Sequence, residues 1–244
     1  MATLGTLPAP GRLWTLTRPL PAYSRPQGPG LATEIHAGRC LRVLGAAGAS
    51  GTETRLRVRL HGDGYPCWVD AAALEHHGQP VPSPPPLPRL DRDRIAARLE
   101  AVLAFAEAAR QRPNRYLWGG TLGPDFDCSG LVQTAFAQAG IWLPRDAYLQ
   151  ERFCRPVAVA SGVTSLLLPG DLIFFGTPRR CTHVALHLGG GRYLHSSGRQ
   201  HGRDGIGIDD LNPRNRDPVA CHYRTELRGA GRVMHSHDGS PLPP

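Results

Sequence analysis

Residues 125–136 read DFDCSGLVQTAF. A single cysteine, Cys128, stands between Asp127 and Ser129 where an apolar run begins. Leu131, Val132, Ala135, Phe136 and Ala139 recur at helical spacing, and Gly140 suits the C-terminal stop. Asp127 is the residue type that caps a helix N-terminus. The pattern predicts a helix starting near Asp127 with Cys128 in its first turn. Unpaired N–H groups and the helix dipole favour an anion there, so the site is expected to lower the thiol pKa. The same N–H groups could hold the oxyanion of a tetrahedral intermediate. Against this stands the reading of Cys128 as a small core residue, since free cysteine is commonly buried.

A reactive thiol needs a base, and the base an orienting group. The stretch THVALHLGGGRYLHSS (182–197) offers His183, His187 and His195 on two strand-like runs. If the loop is the three residues 189–191, Ala185 faces His195 and His183 faces Ser197. His183 and His195 are then diagonal neighbours on one face, about 7–8 Å apart between backbones. A plain two-residue loop puts them on opposite faces. In the favourable register His183 takes the thiol proton and His195 fixes its tautomer. His187 reads as an edge residue beside the turn. A zinc site of Cys128, His183 and His195 is the alternative, but the three lack motif spacing.

Further outward, GQPVPSPPPLPRL (78–90) is expected to stay out of sheets and helices and to act as a stiff spacer. Before it, Leu56, Val58 and Leu60 alternate with arginines, a half-buried strand pattern. Asp63-Gly64 marks a turn. Short strands at this spacing predict a small β barrel over 1–80, with the linker at 81–90. After it, Ile95, Leu99, Val102, Leu103 and Ala106 predict a helix capped by Asp91 or Asp93. Helices followed by Gly-separated strands make 91–228 an α+β domain, and GAGRVMHSHDGSPLPP (229–244) reads as a disordered tail.

The chain has 244 residues and a formal charge of +8. All 28 basic residues are arginine, and they are dispersed. No stretch interleaves them with aromatics as a nucleic-acid groove does, so no nucleic-acid partner is expected. The six cysteines, at 40, 67, 128, 154, 181 and 221, show no CxxC spacing, and mostly reduced thiols are expected. The N-terminal stretch does not read as a secretory signal, and no segment approaches the roughly 18 apolar residues of a membrane span. The expected location is the cytoplasm, with no membrane partner.

Six stretches, RYLWGG, DCSGLV, LPRDAYLQ, PGDLIFF, HVALHLG and YLHSSG, occur in that order over about residues 95–225. Together they closely resemble the NlpC-type cell-wall cysteine peptidases. The region ending GDGYPCWVD resembles the bacterial SH3-like domain that precedes the peptidase in one branch, with Cys67 where that motif has glycine. The resemblance implies a papain-like α+β fold with Cys128 as nucleophile, His183 as base and His195 as third member. It implies cleavage of murein peptides between γ-D-glutamate and an L-diamino acid, with preference for a free N-terminal L-alanine. Asp127 then binds the amine with Ser129 and Tyr116, Trp118 lines the pocket, and Tyr65 of the SH3-like domain closes its far end. Ala147 stands where relatives often carry serine in LPRDAYLQ, which bears on how the amine is held.

Each of these has a plainer reading: Tyr116 and Trp118 as core aromatics, Asp127 as a cap only, Arg145 and Asp146 as turn residues or a surface pair. The function expected from the whole is murein-peptide recycling by a monomeric cysteine endopeptidase that uses no metal or organic cofactor. The alternatives are a non-catalytic wall-binding protein and a Cys-dependent acyltransferase. The sequence leaves the identity of the diamino acid open.

Overall fold

A computed structural model of the chain describes residues 8–46 and 54–242. The chain divides into two compact units, Met1–Leu87 and Pro88–Pro244. The first seven residues of the expected N-terminal domain lie outside the described residues.

The N-terminal unit holds β1 (Leu13–Leu16), β2 (Leu20–Tyr23), β3 (Leu31–Ile35), β4 (Cys40–Ala46), β5 (Arg55–Leu60), β6 (Pro66–Asp70), α1 (Ala71–His77) and β7 (Gly78–Val81). Its strands form one antiparallel sheet in the order β3-β2-β6-β5-β4-β1-β7. The alternation in β5 decides which face is core. Leu56, Val58 and Leu60 are buried beside Leu41, Val43 and Val69, while Arg57 and Arg59 are exposed. Arg55 departs from the pattern. Its guanidinium lies 3.5 Å from the Tyr23 ring centre and donates to the carbonyls of Arg25 and Gly28. The expected exclusion of 78–90 from any sheet fails at its start. Residues 78–81 pair with β1, Pro80 opposite Trp14. β7 is the last strand of the order, so among the described residues no strand pairs with its outer side, an edge position that tolerates the missing Pro80 N–H. Val81 is therefore a sheet residue rather than linker, and the first unit extends to Leu87.

The C-terminal unit opens with α2 (Arg92–Ala96) and α3 (Leu99–Arg110), two short helices where the spacing predicts one. Asp91, not Asp93, caps the first by accepting from the Arg94 N–H. Next come α4 (Cys128–Gln138) and α5 (Ala147–Phe153). The sheet follows: β8 (Arg155–Val157), β9 (Leu172–Thr177), β10 (Arg180–Gly189), β11 (Arg192–Ser197), β12 (Gly205–Asp210), then α6 (Pro218–Thr225) and β13 (Leu227–Arg232). The strand order is β12-β11-β10-β9-β13-β8, antiparallel throughout. Every residue from Cys128 to Phe136 is buried, so α4 is not a half-wet helix. It is the central helix of the unit, packed with α3 and the sheet around Val102, Leu131, Phe136, Leu172 and Leu194.

The expected disordered tail is not one. Its first residues complete β13, which runs between β9 and β8. Val233 is buried, Ser236 Oγ accepts from the Trp142 N–H, and the His237 N–H donates to the Trp142 carbonyl. The reason is tertiary: β9 needs a partner on its outer edge, and GAGR fits because small residues suffice for backbone pairing. A Cβ at Gly231 falls 2.5 Å from Cys154 Cβ. Residues 243 and 244 of that tail lie outside the described residues. Among the described residues, no helix is long and apolar enough to cross a membrane.

Candidate active site

Asp127 is the N-cap of α4, with extended backbone at φ −84° and ψ 176°. Its Oδ1 accepts from the Gly130 N–H at 2.6 Å and places Cys128 at the first helical position, as the sequence predicts. The loop before it is locked on. The Gly119 N–H donates to Asp127 Oδ2 at 2.8 Å, and the Asp127 N–H donates to the Gly120 carbonyl. Position 130 must be glycine, because a Cβ there lies 2.1 Å from the Gly120 oxygen.

The hairpin of β10 and β11 carries the histidines. Its turn is not the expected three-residue loop. Gly189 pairs with Arg192 around Gly190 and Gly191, and Leu188 is a bulge that shifts the register. A two-residue turn alone reverses the faces, but the extra bulged residue restores them. His187 pairs with Tyr193 and Leu186 with Leu194, which is the register in which His183 and His195 share a face. His183 Nε2 and His195 Nδ1 are 2.8 Å apart. His187 is not an edge residue: it is buried, with Nδ1 at 2.9 Å from the Leu168 carbonyl and Nε2 accepting from the Gly191 N–H. It ties the turn to the β8–β9 connection and stays out of the chemistry.

The chain of hydrogen bonds does not end at His195. Its Nε2 lies 2.7 Å from Asp209 Oδ2 on β12, and Arg203 donates to both Asp209 oxygens at 2.9 and 2.8 Å. Burial pushes the Asp209 carboxyl up, but the His195 bond and the Arg203 charge more than offset this and hold it below its ordinary value. An ionised carboxylate only accepts, so His195 Nε2 carries the proton. Burial holds His195 neutral by lowering its pKa, so its Nδ1 accepts from His183 Nε2–H. This leaves His183 Nδ1 as the free basic nitrogen. Burial, then His195, His201 and His222, hold His183 well below its ordinary value. Tyr223 stacks on the His183 ring at 4.3 Å and 29°, with its hydroxyl 2.7 Å from Ser197 Oγ.

The thiol itself differs from expectation. Burial first, and the Asp127 carboxylate second, push Cys128 up to about 12, against the N–H groups of Val184 and Ser129 and the charge of Arg145, which pull it down. The helix terminus is real, but desolvation outweighs it. The resting pair is therefore a neutral thiol and a neutral imidazole. The Val184 N–H at the sulfur also sets Cys128 against the strand that carries His183.

Arg145, expected to be a turn or surface residue, is one of the most deeply buried side chains of the protein. It reaches Asp127 with both terminal nitrogens, at 2.6 and 3.1 Å, and donates to Ser129 Oγ at 2.9 Å. Asp127 thus accepts from Gly119, Gly130, Ser129 and Arg145, which fills both oxygens. The amine-binding role that the resemblance assigns to Asp127 meets no open lone pair in this arrangement. Ser129 is buried beside it. Tyr116 is half-buried, bridged to Phe126, and its phenol is raised by burial and then by the neighbouring Cys128 and Asp127, which places it in the site. Trp118 is 72% exposed and so is no core aromatic. Ala147 is buried at the start of α5. Tyr65 packs against the core of the N-terminal unit.

Sequence reading missed Asp209 and Arg145. Asp209 had a signal. GIGIDD is a strand pattern, and β12 pairs His195 with Gly207, so Asp209 is one diagonal step from His195 on the same face. Arg145 had none, since it lies in the segment before α5 and its partners, Asp127 and Ser129, stand 18 and 16 residues away at the start of α4.

Residues 113–222 match the NlpC/P60 family, and residues 22–74 match the bacterial dipeptidyl-peptidase Sh3 domain. The chain is similar to the bifunctional muramidase/DL-endopeptidase CwlT of Bacillus subtilis, 35% identical over 52% of this chain and 35% of that one. It is 42% identical to the gamma-D-glutamyl-L-lysine dipeptidyl-peptidase of Bacillus cereus, over 33% of this chain and 24% of the relative. The matched segments thus span about a third or less of these relatives. The solved structure of an NlpC/P60 family protein from Bacillus cereus aligns with 92% of this chain and 64% of its own, at 25% identity and a TM-score of 0.45. The chain joins an NlpC/P60 domain to a bacterial SH3 domain of the dipeptidyl-peptidase kind.

Proposed function

Taking the NlpC/P60 domain as premise, we propose that the protein is a cysteine endopeptidase that hydrolyses the γ-D-glutamyl–L-diamino acid bond of murein peptides bearing a free N-terminal L-alanine. One observation carries the catalytic part: Cys128 opens α4 against β10, and the His183–His195–Asp209 chain leaves His183 Nδ1 as the only unengaged nitrogen of the relay.

The steps follow from that tautomer. As Cys128 Sγ attacks the γ-glutamyl carbonyl, its proton passes to His183 Nδ1. The imidazolium is stabilised through His195 by Asp209, and amides at the α4 N-terminus meet the oxyanion. Collapse breaks the C–N bond, and His183 gives its proton to the leaving amine, leaving a thioester. Water then attacks with His183 again as base, releasing the γ-D-glutamyl carboxylate and restoring the thiol. A neutral resting pair suits this sequence, because proton transfer and attack are coupled and no buried ion pair has to persist between turnovers.

The bond assignment rests on the dipeptidyl-peptidase Sh3 match and on the name of the Bacillus cereus relative. On this reading Tyr116 and Ser129 contact the amino-terminal residue, Asp127 and Arg145 hold Ser129 in place, and Trp118 borders the entrance. The enzyme acts as a monomer on released peptides in the cytoplasm, since intact wall presents that alanine amine already acylated.

The test is cleavage of L-Ala-γ-D-Glu-L-Lys with its amine free or acetylated, by wild type and Cys128→Ala. Cleavage of the free-amine peptide alone, lost in the variant, is the expected result. Equal cleavage of both peptides removes the amine requirement, and cleavage by Cys128→Ala removes the mechanism.

A further inference from the structure

The far edge of the C-terminal sheet has features that peptide cleavage does not use. A cavity of about 450 Å³ opens there, walled by Val157, Leu166 and Met234 and flanked by Arg92, Arg155 and Arg232. It is separate from the catalytic residues. β8 lies three strands from β10, about 14 Å at the usual strand spacing.

The charges at this cavity are unbalanced. Arg155 and Arg232 stand directly opposite each other on β8 and β13, an arrangement that destabilises a strand pair. The charge of Arg232 is met by a bidentate contact to buried Asp171, at 2.7 Å from each nitrogen. Neither Arg92 nor Arg155 has an ion-pair partner among the described residues. Arg92 adds a sharper signal. Its NH1 nitrogen is buried and has no hydrogen-bond partner among the described residues, and a buried donor left unmade is costly. Beside these cations Leu166 is 62% exposed, an apolar surface that no described residue covers.

We propose that this cavity binds a small molecule carrying an oxyanion, a carboxylate or a phosphate, on a short apolar body. The oxyanion bridges Arg92 and Arg155, whose planar forks match either group. It relieves the repulsion between Arg155 and Arg232, and a small rotation of the Arg92 side chain brings its buried NH1 onto the same oxyanion. The apolar body covers Leu166, Val157 and Met234. A volume of this size fits a small ligand and not a polymer.

Isothermal titration of the full chain with phenyl phosphate and with benzoate, at constant ionic strength in chloride, tests this. Binding of at least one probe, weakened tenfold or more in Arg92→Gln/Arg155→Gln and unchanged after alkylation of Cys128, is expected, and the tighter probe names the oxyanion. Cleavage of the murein tripeptide at the wild-type rate, or an unchanged far-UV spectrum and melting transition, confirms that the double variant is folded. The proposal is overturned if neither probe binds, if binding survives in the double variant, or if alkylating Cys128 abolishes it.

Discussion

Asp209 Oδ2 lies 2.7 Å from His195 Nε2, and the other nitrogen of that ring lies 2.8 Å from His183. Three adjacent strands, β10, β11 and β12, therefore deliver one proton-ordered line that ends at His183, the base of the proposed mechanism. The carboxylate never meets the thiol, yet it decides which nitrogen of His183 is basic. Replacing Asp209 with Asn lets His195 carry its proton on Nδ1, facing His183. A drop in kcat of about 10²–10⁴ with little change in KM is expected, by analogy with tautomer reversal in other nucleophile–His–Asp systems. Steady-state kinetics with a folded variant checks it, and Asp209→Glu is expected to recover part of the loss.

The pH dependence follows from the neutral resting pair. His183 is held well below its ordinary 6.5. Protonation, which removes the base, therefore sets in below that pH, and the acid limb of kcat/KM is displaced downward. The thiol, pushed up to about 12, contributes no limb near neutrality. The alkaline limb is expected near 8, where the peptide's α-amine loses its charge. An acetylated substrate that is still cleaved must lack that limb.

Alkylation reads the same thiol directly. With the Cys128 pKa near 12, the rate of reaction with iodoacetamide is expected to rise about tenfold per pH unit between 7 and 9, as the thiolate fraction does. A plateau in that range means the thiol is activated at rest, as the helix terminus alone predicts.

Arg145 and Asp127 form a buried pair beside Cys128. Arg145→Met leaves Asp127 charged and uncompensated. A loss of about 3–5 kcal/mol in denaturant unfolding is expected, the range for breaking one side of a buried pair. Arg145→Met combined with Asp127→Ser, which keeps a cap and removes the charge, is expected to lose less than Arg145→Met alone.

The end of the chain gives a folding prediction. Truncation after residue 226 removes β13 and leaves β8 without the one strand it pairs with among the described residues, and β9 with an open edge. Such a chain is expected to be insoluble or to melt far below wild type, whereas truncation after residue 242 retains the Trp142 contacts of Ser236 and His237 and the packing of Leu242 on the core and keeps the wild-type transition in a thermal melt.

Much of the site was legible because its determinants are local or periodic. A cap residue, a small cluster and an apolar run place Cys128 at a helix start whatever surrounds it. A period of two puts His183 and His195 on one face once their register is given. That register was reached through the wrong turn. The bulge at Leu188 adds the residue that a two-residue loop lacks, and the two routes are indistinguishable in a run of three glycines.

The sequence by itself determined the two-part organisation, the order of helices and strands around Cys128, and that His183 and His195 share a face. All of these depend on neighbours in the chain or on repeating patterns. Only the tertiary structure decided that the thiol is neutral at rest, that Asp209 orders the relay, that Arg145 is buried on Asp127, and that residues 227–237 close the sheet. Each is set by desolvation or by a partner far away in sequence. Ser236 meets Trp142 across 94 residues, and burial outweighs the helix terminus at Cys128. Local pattern fixes which groups can react, and packing fixes their charge.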